Sequence, residues 1–108
     1  MGKKESIIKE LSSFAKEISR DYPLQKMIFF GSRAKGKFRS DSDVDLIIVS
    51  KAFQNQNWLN RSPKLYLRWN LDYPVDFLCY TPAEFARKKK KIGIIRTAMA
   101  EGIEIKAG

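Results

Sequence analysis

Histidine is absent from this 108-residue chain, and cysteine occurs once, at Cys79. The first absence removes every imidazole base, so Ser-His-Asp and Cys-His catalysis are excluded. The second removes an internal disulfide and a cysteine-rich zinc site. Long apolar runs are also missing: nothing approaches the ~20 consecutive apolar residues of a membrane span. The opening MGKKESIIKELSS has no signal-peptide core, so the expectation is a soluble, cytoplasmic protein. Acidic side chains are scarce, 12 Asp plus Glu against 21 Lys plus Arg, for a net charge of +9. Such an excess favours phosphate-bearing partners: nucleotides, RNA, or the acidic face of another protein. Catalysis in this chain has only carboxylates, hydroxyls, Lys, Arg, Tyr or an oxygen-ligated metal to draw on.

The length fits one domain over residues 1–108, burying ~60 to 68% of its unfolded surface. No repeat, low-complexity tract or linker interrupts it, and the hydrophobic period changes several times, as in an α/β or α+β protein. Ile7, Ile8, Leu11, Phe14, Ala15 and Ile18 recur at helical spacing over residues 4–20, and Pro23 bars continuation. The runs at 27–30 and 44–49 read as buried central strands. Residues 50–61 read as a loop, and Ser62-Pro63 as the N-cap and first turn of a short helix carrying Leu65, Tyr66 and Trp69. Residues 74–80 form a third strand with its proline at the start. Thr81-Pro82-Ala83-Glu84 is a capping box opening a helix with Phe85 inward and the lysines at 88–91 outward. A last helix with Ile94, Ile95, Ala98 and Met99 ends at Gly102, read as a C′ glycine, before a short edge strand at 103–105.

The chemistry is concentrated between Phe30 and Leu46. A strand that breaks at Gly31-Ser32 leaves backbone N–H groups able to cradle phosphate, since glycine permits close approach. Ser32 adds a hydroxyl donor. Asp43 and Asp45 stand two apart at the start of an apolar strand, so the period of two puts both carboxylates on one face. Paired carboxylates repel, which raises a pKa or calls for a cation between them. Mg²⁺ suits such a site, being held by one or two carboxylates together with substrate phosphates. Asp76 opens another apolar strand, where an acid is costly to bury without a partner; if that strand lies beside the second, the three acids converge.

Competing motifs fail on particular residues. Gly31 to Lys37 has P-loop spacing, but Phe38 stands where Ser or Thr would coordinate Mg²⁺. The Asp41, Asp43, Asp45 series resembles the start of a calcium loop, but Leu46 stands where glycine is needed and Ala52 where the bidentate Glu belongs. A lone Asp-x-Asp is ordinarily a solvated turn; the Gly-Ser turn and the later strand acid argue against that here.

With Gly31-Ser32, ten intervening residues and Asp43-Val44-Asp45, the chain resembles the minimal nucleotidyltransferases of the DNA polymerase β superfamily. The match extends to Gly-Ser-Arg-Ala-x-Gly before Ser-Asp-x-Asp-Leu, and the element order covers nearly the whole chain. The resemblance implies a small mixed, twisted sheet of three to four strands flanked by helices, and transfer of NMP, with ATP as the expected donor, to an acceptor hydroxyl. It implies nucleotide binding at Gly31, Ser32 and Arg33, and catalytic Mg²⁺, two ions, at Asp43, Asp45 and Asp76, with Asp76 either ligating the second ion or helping to deprotonate the acceptor. Short members of the family are often antitoxins that adenylylate a HEPN-domain partner, which makes protein AMP-transfer the first reading, with a HEPN-domain partner or homo-oligomer completing the site. Lys35 and Lys37 are weaker phosphate candidates, Asp41 is a turn or cap residue, and Trp58 and Trp69 are core or interface residues before they are base-stacking ones. The alternatives are a non-catalytic basic module binding RNA or a partner through the lysines at 88–91, and nucleotidyl transfer to RNA or a small molecule.

Overall fold

A computed structural model describes residues 3–36 and 43–107 of the chain. Helix α1 (Lys3–Ile18) leads to strand β1 (Leu24–Phe30), the single-turn α2 (Ser32–Lys35) and strand β2 (Val44–Ser50). A 3₁₀ turn (Lys51–Phe53), α3 (Trp58–Arg61) and α4 (Pro63–Arg68) cross to β3 (Val75–Tyr80), followed by α5 (Pro82–Lys88), α6 (Ile94–Glu101) and β4 (Ile103–Glu104). The sheet order is β3-β2-β1-β4. β1 is antiparallel to both of its neighbours, whereas β2 and β3 run parallel. This is a mixed α/β architecture with a four-stranded mixed sheet flanked by helices.

Alternation along the strands divides the core in two. Met27, Phe29, Val44, Leu46, Ile48, Phe77 and Cys79 join the apolar face of α1 and Leu65 of α4 in the larger cluster. Ile28, Ile47, Val49 and Tyr80 face the other way and pack with Phe85 of α5 and Ile95 and Ala98 of α6. Because both faces are covered, β2 reads as a near-continuous apolar run, as a buried strand with a parallel neighbour should. No helix among the described residues is long and apolar enough to cross a membrane.

The structure departs from the sequence reading in three places. Residues 50–61 are not simply a loop. Ser50 caps the 3₁₀ turn by accepting from the Ala52 N–H, Phe53 is fully buried, and α3 delivers a buried Arg61. Ser62 makes no side-chain cap, because α3 runs almost directly into α4 and its backbone is already helical. Gly102 is not left-handed; its φ is −81°. Glycine is required there by crowding: a Cβ would collide with the Ala98 carbonyl and sit 2.7 Å from Ile28 Cγ2.

Arg61 is the polar pin of the α5 side. Its guanidinium donates to both oxygens of Glu84 at 2.5 and 3.1 Å and to the Cys79 carbonyl at 3.2 Å. Glu84 closes the expected capping box, accepting from the Thr81 N–H at 2.9 Å while Thr81 Oγ1 accepts from the Glu84 N–H at 3.2 Å. Its carboxyl is held at about 2, chiefly by the Arg61 hydrogen bonds. A depressed acid stabilises the fold above its ordinary pKa and ceases to do so as pH falls through the folded value. Glu84→Ala removes the cap and strands a buried guanidinium. It is expected to cost about 2 to 4 kcal/mol at pH 7, by urea denaturation, with the deficit against wild type shrinking as pH falls from about 4.5 toward 2.

Candidate active site

The site lies where β1 leaves the sheet and β2 and β3 enter it. β1 ends at Phe30, and Gly31 turns the chain at φ +86°, a left-handed value that favours glycine. A second constraint falls on the same atom: a Cβ on Gly31 would collide with Asp45 Oδ2 and lie 3.2 Å from Asp45 Cγ. The turn therefore passes directly against the Asp45 carboxylate. Ser32 follows at the start of α2 with an exposed side chain, and Gly36 closes that turn in the left-handed conformation.

The acids are assembled by register. Asp45 pairs with Phe30 on one side and Asp76 on the other. Neighbouring strands lie about 4.8 Å apart, and directly paired residues project to the same face, so the two carboxylates are adjacent. Val44 and Leu46 belong to the α1-side core, which sends Asp45 to the α5–α6 face; Phe77 does the same for Asp76. Asp43 stands exposed just before β2. The Asp45 carboxyl is raised to about 6 by burial first, then by the charges of Asp76 and Asp43. The three acids named by sequence thus act on one another electrostatically.

Tyr66 is the site neighbour that the sequence did not single out. Its hydroxyl donates to Asp76 Oδ1 at 3.4 Å and accepts from the Phe77 N–H at 3.3 Å, while its ring stands edge-on to Phe77 at 4.9 Å. Burial raises its phenol pKa, with the Asp76 charge acting in the same direction. Its apolar helical spacing gave only a core signal; the polar role depends on α4 lying along the outer edge of β3.

Arg33 takes a different position from the one expected of a phosphate contact. It is 3% exposed, with its guanidinium 4.9 Å from the Tyr73 ring centre, on the side where Ala34 and Tyr73 join the α1 core. Burial raises the Tyr73 phenol pKa, and the nearby Glu10 carboxylate acts in the same direction. Lys35 pairs with Glu101 of α6 at 3.2 Å. Trp69 is a core residue, edge-on to Phe14 and bonded through its indole N–H to the Tyr73 carbonyl. Trp58 is at the surface, 46% exposed and 5.1 Å from the Tyr80 ring. Buried Cys79 is pushed up to about 12, so its thiol is inert. Lys37 and Asp41 lie outside the described residues.

The donor set is oxygen only, which fits a hard divalent cation. Among the described residues no group of three or more acidic, histidine or cysteine side chains is gathered closely enough to hold a metal by itself. Burial is the main cause of the raised Asp45 pKa, and the smaller part that comes from the Asp76 and Asp43 charges is what a cation there would relieve.

Two measurements check this geometry. An acid whose pKa is raised in the fold destabilises it once ionised, so the metal-free protein loses stability as pH rises from 3.8 through about 6. Asp45→Asn should therefore raise the melting temperature at pH 7.5 by several degrees, on the order of 1 kcal/mol, and the gain should vanish below pH 3.8. Gly31→Ala places a methyl on Asp45 and should cost about 1 to 3 kcal/mol in denaturant unfolding.

Over residues 11–99 the chain matches the family described as a nucleotidyltransferase domain. The protein named "Putative protein adenylyltransferase MJ0141", from Methanocaldococcus jannaschii, is 33% identical over 69 residues, which span 64% of this chain and 69% of that one. A solved "putative nucleotidyltransferase from Sulfolobus solfataricus" superposes with a TM-score of 0.65 at 20% identity, over 94% of this chain and 80% of its own, a likeness of fold. Family match, shared fold and the Gly-Ser turn seated on paired strand acids agree: the chain belongs to the nucleotidyltransferase domain family.

Proposed function

We propose that the protein is a Mg²⁺-dependent nucleotidyltransferase that moves AMP from ATP to a hydroxyl of a protein acceptor. The observation that carries the reading is the Gly31 turn pressed against Asp45, itself paired with Asp76. In nucleotidyl transfer the acceptor oxygen bonds to the α-phosphorus and pyrophosphate leaves, so the protein must seat phosphates, neutralise charge and take up one proton. Gly31 lets the triphosphate approach the backbone, and the exposed Ser32 hydroxyl donates to its oxygens. Asp43 and Asp45, with Asp76, would hold Mg²⁺, which supplies charge neutralisation for the leaving pyrophosphate. Asp76, at the sheet edge and open to solvent, receives the acceptor proton.

A protein acceptor is favoured by the relative named as an adenylyltransferase of proteins. The surface supports the same choice: the lysines at 88–91 are exposed beside Ile92 and Ile94, themselves 91% and 54% exposed. Charge next to bare aliphatic surface suits an acidic protein partner better than RNA, which offers no aliphatic counterpart. By the family resemblance that partner is a HEPN-domain toxin, with this chain as its antitoxin.

Incubation with labelled ATP, Mg²⁺ and the product of the neighbouring gene should label that protein, and Asp43→Ala with Asp45→Ala should reduce labelling at least about 10³-fold. Label transfer undiminished in the double variant would refute the assignment, and label appearing in RNA instead would replace the acceptor.

A further inference from the structure

We propose that Tyr66 is itself a nucleotidyl acceptor, its hydroxyl taking AMP from ATP at the site of its own chain. The inference rests on the reading above and adds a substrate to it. An acceptor hydroxyl must lie beside the carboxylate that takes its proton and must be reachable by the nucleotide. The chain has four tyrosines. Tyr22 and Tyr80 are buried, at 9% and 6% exposure, and Tyr73 is half-buried with the Arg33 guanidinium over its ring. Tyr66 is 42% exposed, and its hydroxyl lies 3.4 Å from Asp76 Oδ1.

Its placement is set by the fold. The edge-strand N–H of Phe77 donates to the phenolic oxygen, and the ring stands on the Phe77 side chain. These two contacts keep the hydroxyl beside the second residue of β3, one strand away from Asp45. Tyr66 already stands against Asp76 Oδ1, one of the two oxygens an acceptor hydroxyl could meet. In the step, Tyr66 Oη bonds to the α-phosphorus, the bond from that phosphorus to the bridging oxygen breaks, and pyrophosphate leaves with the electron pair. The phenolic proton passes to Asp76. The product is a phosphodiester on α4, which leaves an adenylate covering the acid pair.

The test uses the full chain with ATP and Mg²⁺, following pyrophosphate release, intact mass and a peptide map. The expected result is a gain of one AMP on Tyr66, absent in Tyr66→Phe, which keeps the ring on Phe77 and whose folding is checked by circular dichroism and thermal melting. Pyrophosphate release with AMP on another residue or on an added acceptor, and Tyr66 unmodified, would overturn this inference and leave nucleotidyl transfer standing. Slower transfer to that other acceptor in Tyr66→Phe would then make Tyr66 a positioning residue for Asp76. Neither pyrophosphate nor mass gain would overturn both readings.

Discussion

The parallel pairing of β2 with β3 is the constraint on which the rest depends. It sets Asp45 beside Asp76 in direct register, and adjacent like charges are costly wherever water is partly excluded. The fold tolerates them because they stand at the ends of their strands, one half-buried and the other exposed, while the apolar residues that follow each acid lock the register. Slipping either strand by one residue would send the acids into the α1 core and its hydrophobic set out, so packing enforces the unfavourable pair. The excess of basic charge over the whole chain lowers the long-range cost, but burial first and then the neighbouring acids still hold the Asp45 carboxyl raised.

Everything near that pair makes room for it or braces it. Gly31 yields the space a side chain would occupy. Arg33 and Lys35, the two cations of α2, are committed elsewhere, one over Tyr73 and the other to Glu101. On the opposite edge Tyr66 ties α4 to β3, and at the far end of β3 the Arg61–Glu84 contact fixes the crossover helices to α5. Stability is thus concentrated in the two apolar faces and the Arg61 pin, leaving the mouth of the sheet for chemistry. This division is common where a strained, charged site is supported by a well-packed scaffold.

The strands, the capping box at Thr81 and the long first helix were legible because each has a strong local signal: an apolar run, a hydroxyl three residues before a glutamate, a period of 3.6. Phe53 and Arg61 were not, because a polar stretch gives no sign that one aromatic and one guanidinium within it will be buried. The burial of Arg33 was hidden for the same reason: beside a Gly-Ser turn an arginine reads as a phosphate contact, and nothing local shows that it will lie over the ring of Tyr73, forty residues on. Gly102 was read as a C′ glycine, but the structure needs glycine there for another cause, crowding by the Ala98 carbonyl of α6 and by β1 rather than a left-handed backbone.

By itself the sequence limited the chemistry: no imidazole, a single thiol, and a Gly-Ser turn ten residues ahead of paired acids, which leaves mainly oxygen donors to draw on. It also placed those acids at the entry of a strand, Asp43 just before β2 and Asp45 within it. Only the tertiary structure decided that β3 joins the sheet parallel to β2, so that Asp76 meets Asp45, that Arg33 turns inward, and that Tyr66 stands against the third acid. The reason is physical. Spacing along a chain fixes which face of an element a residue occupies, whereas strand order and the burial of side chains distant in sequence follow from packing two apolar faces at once.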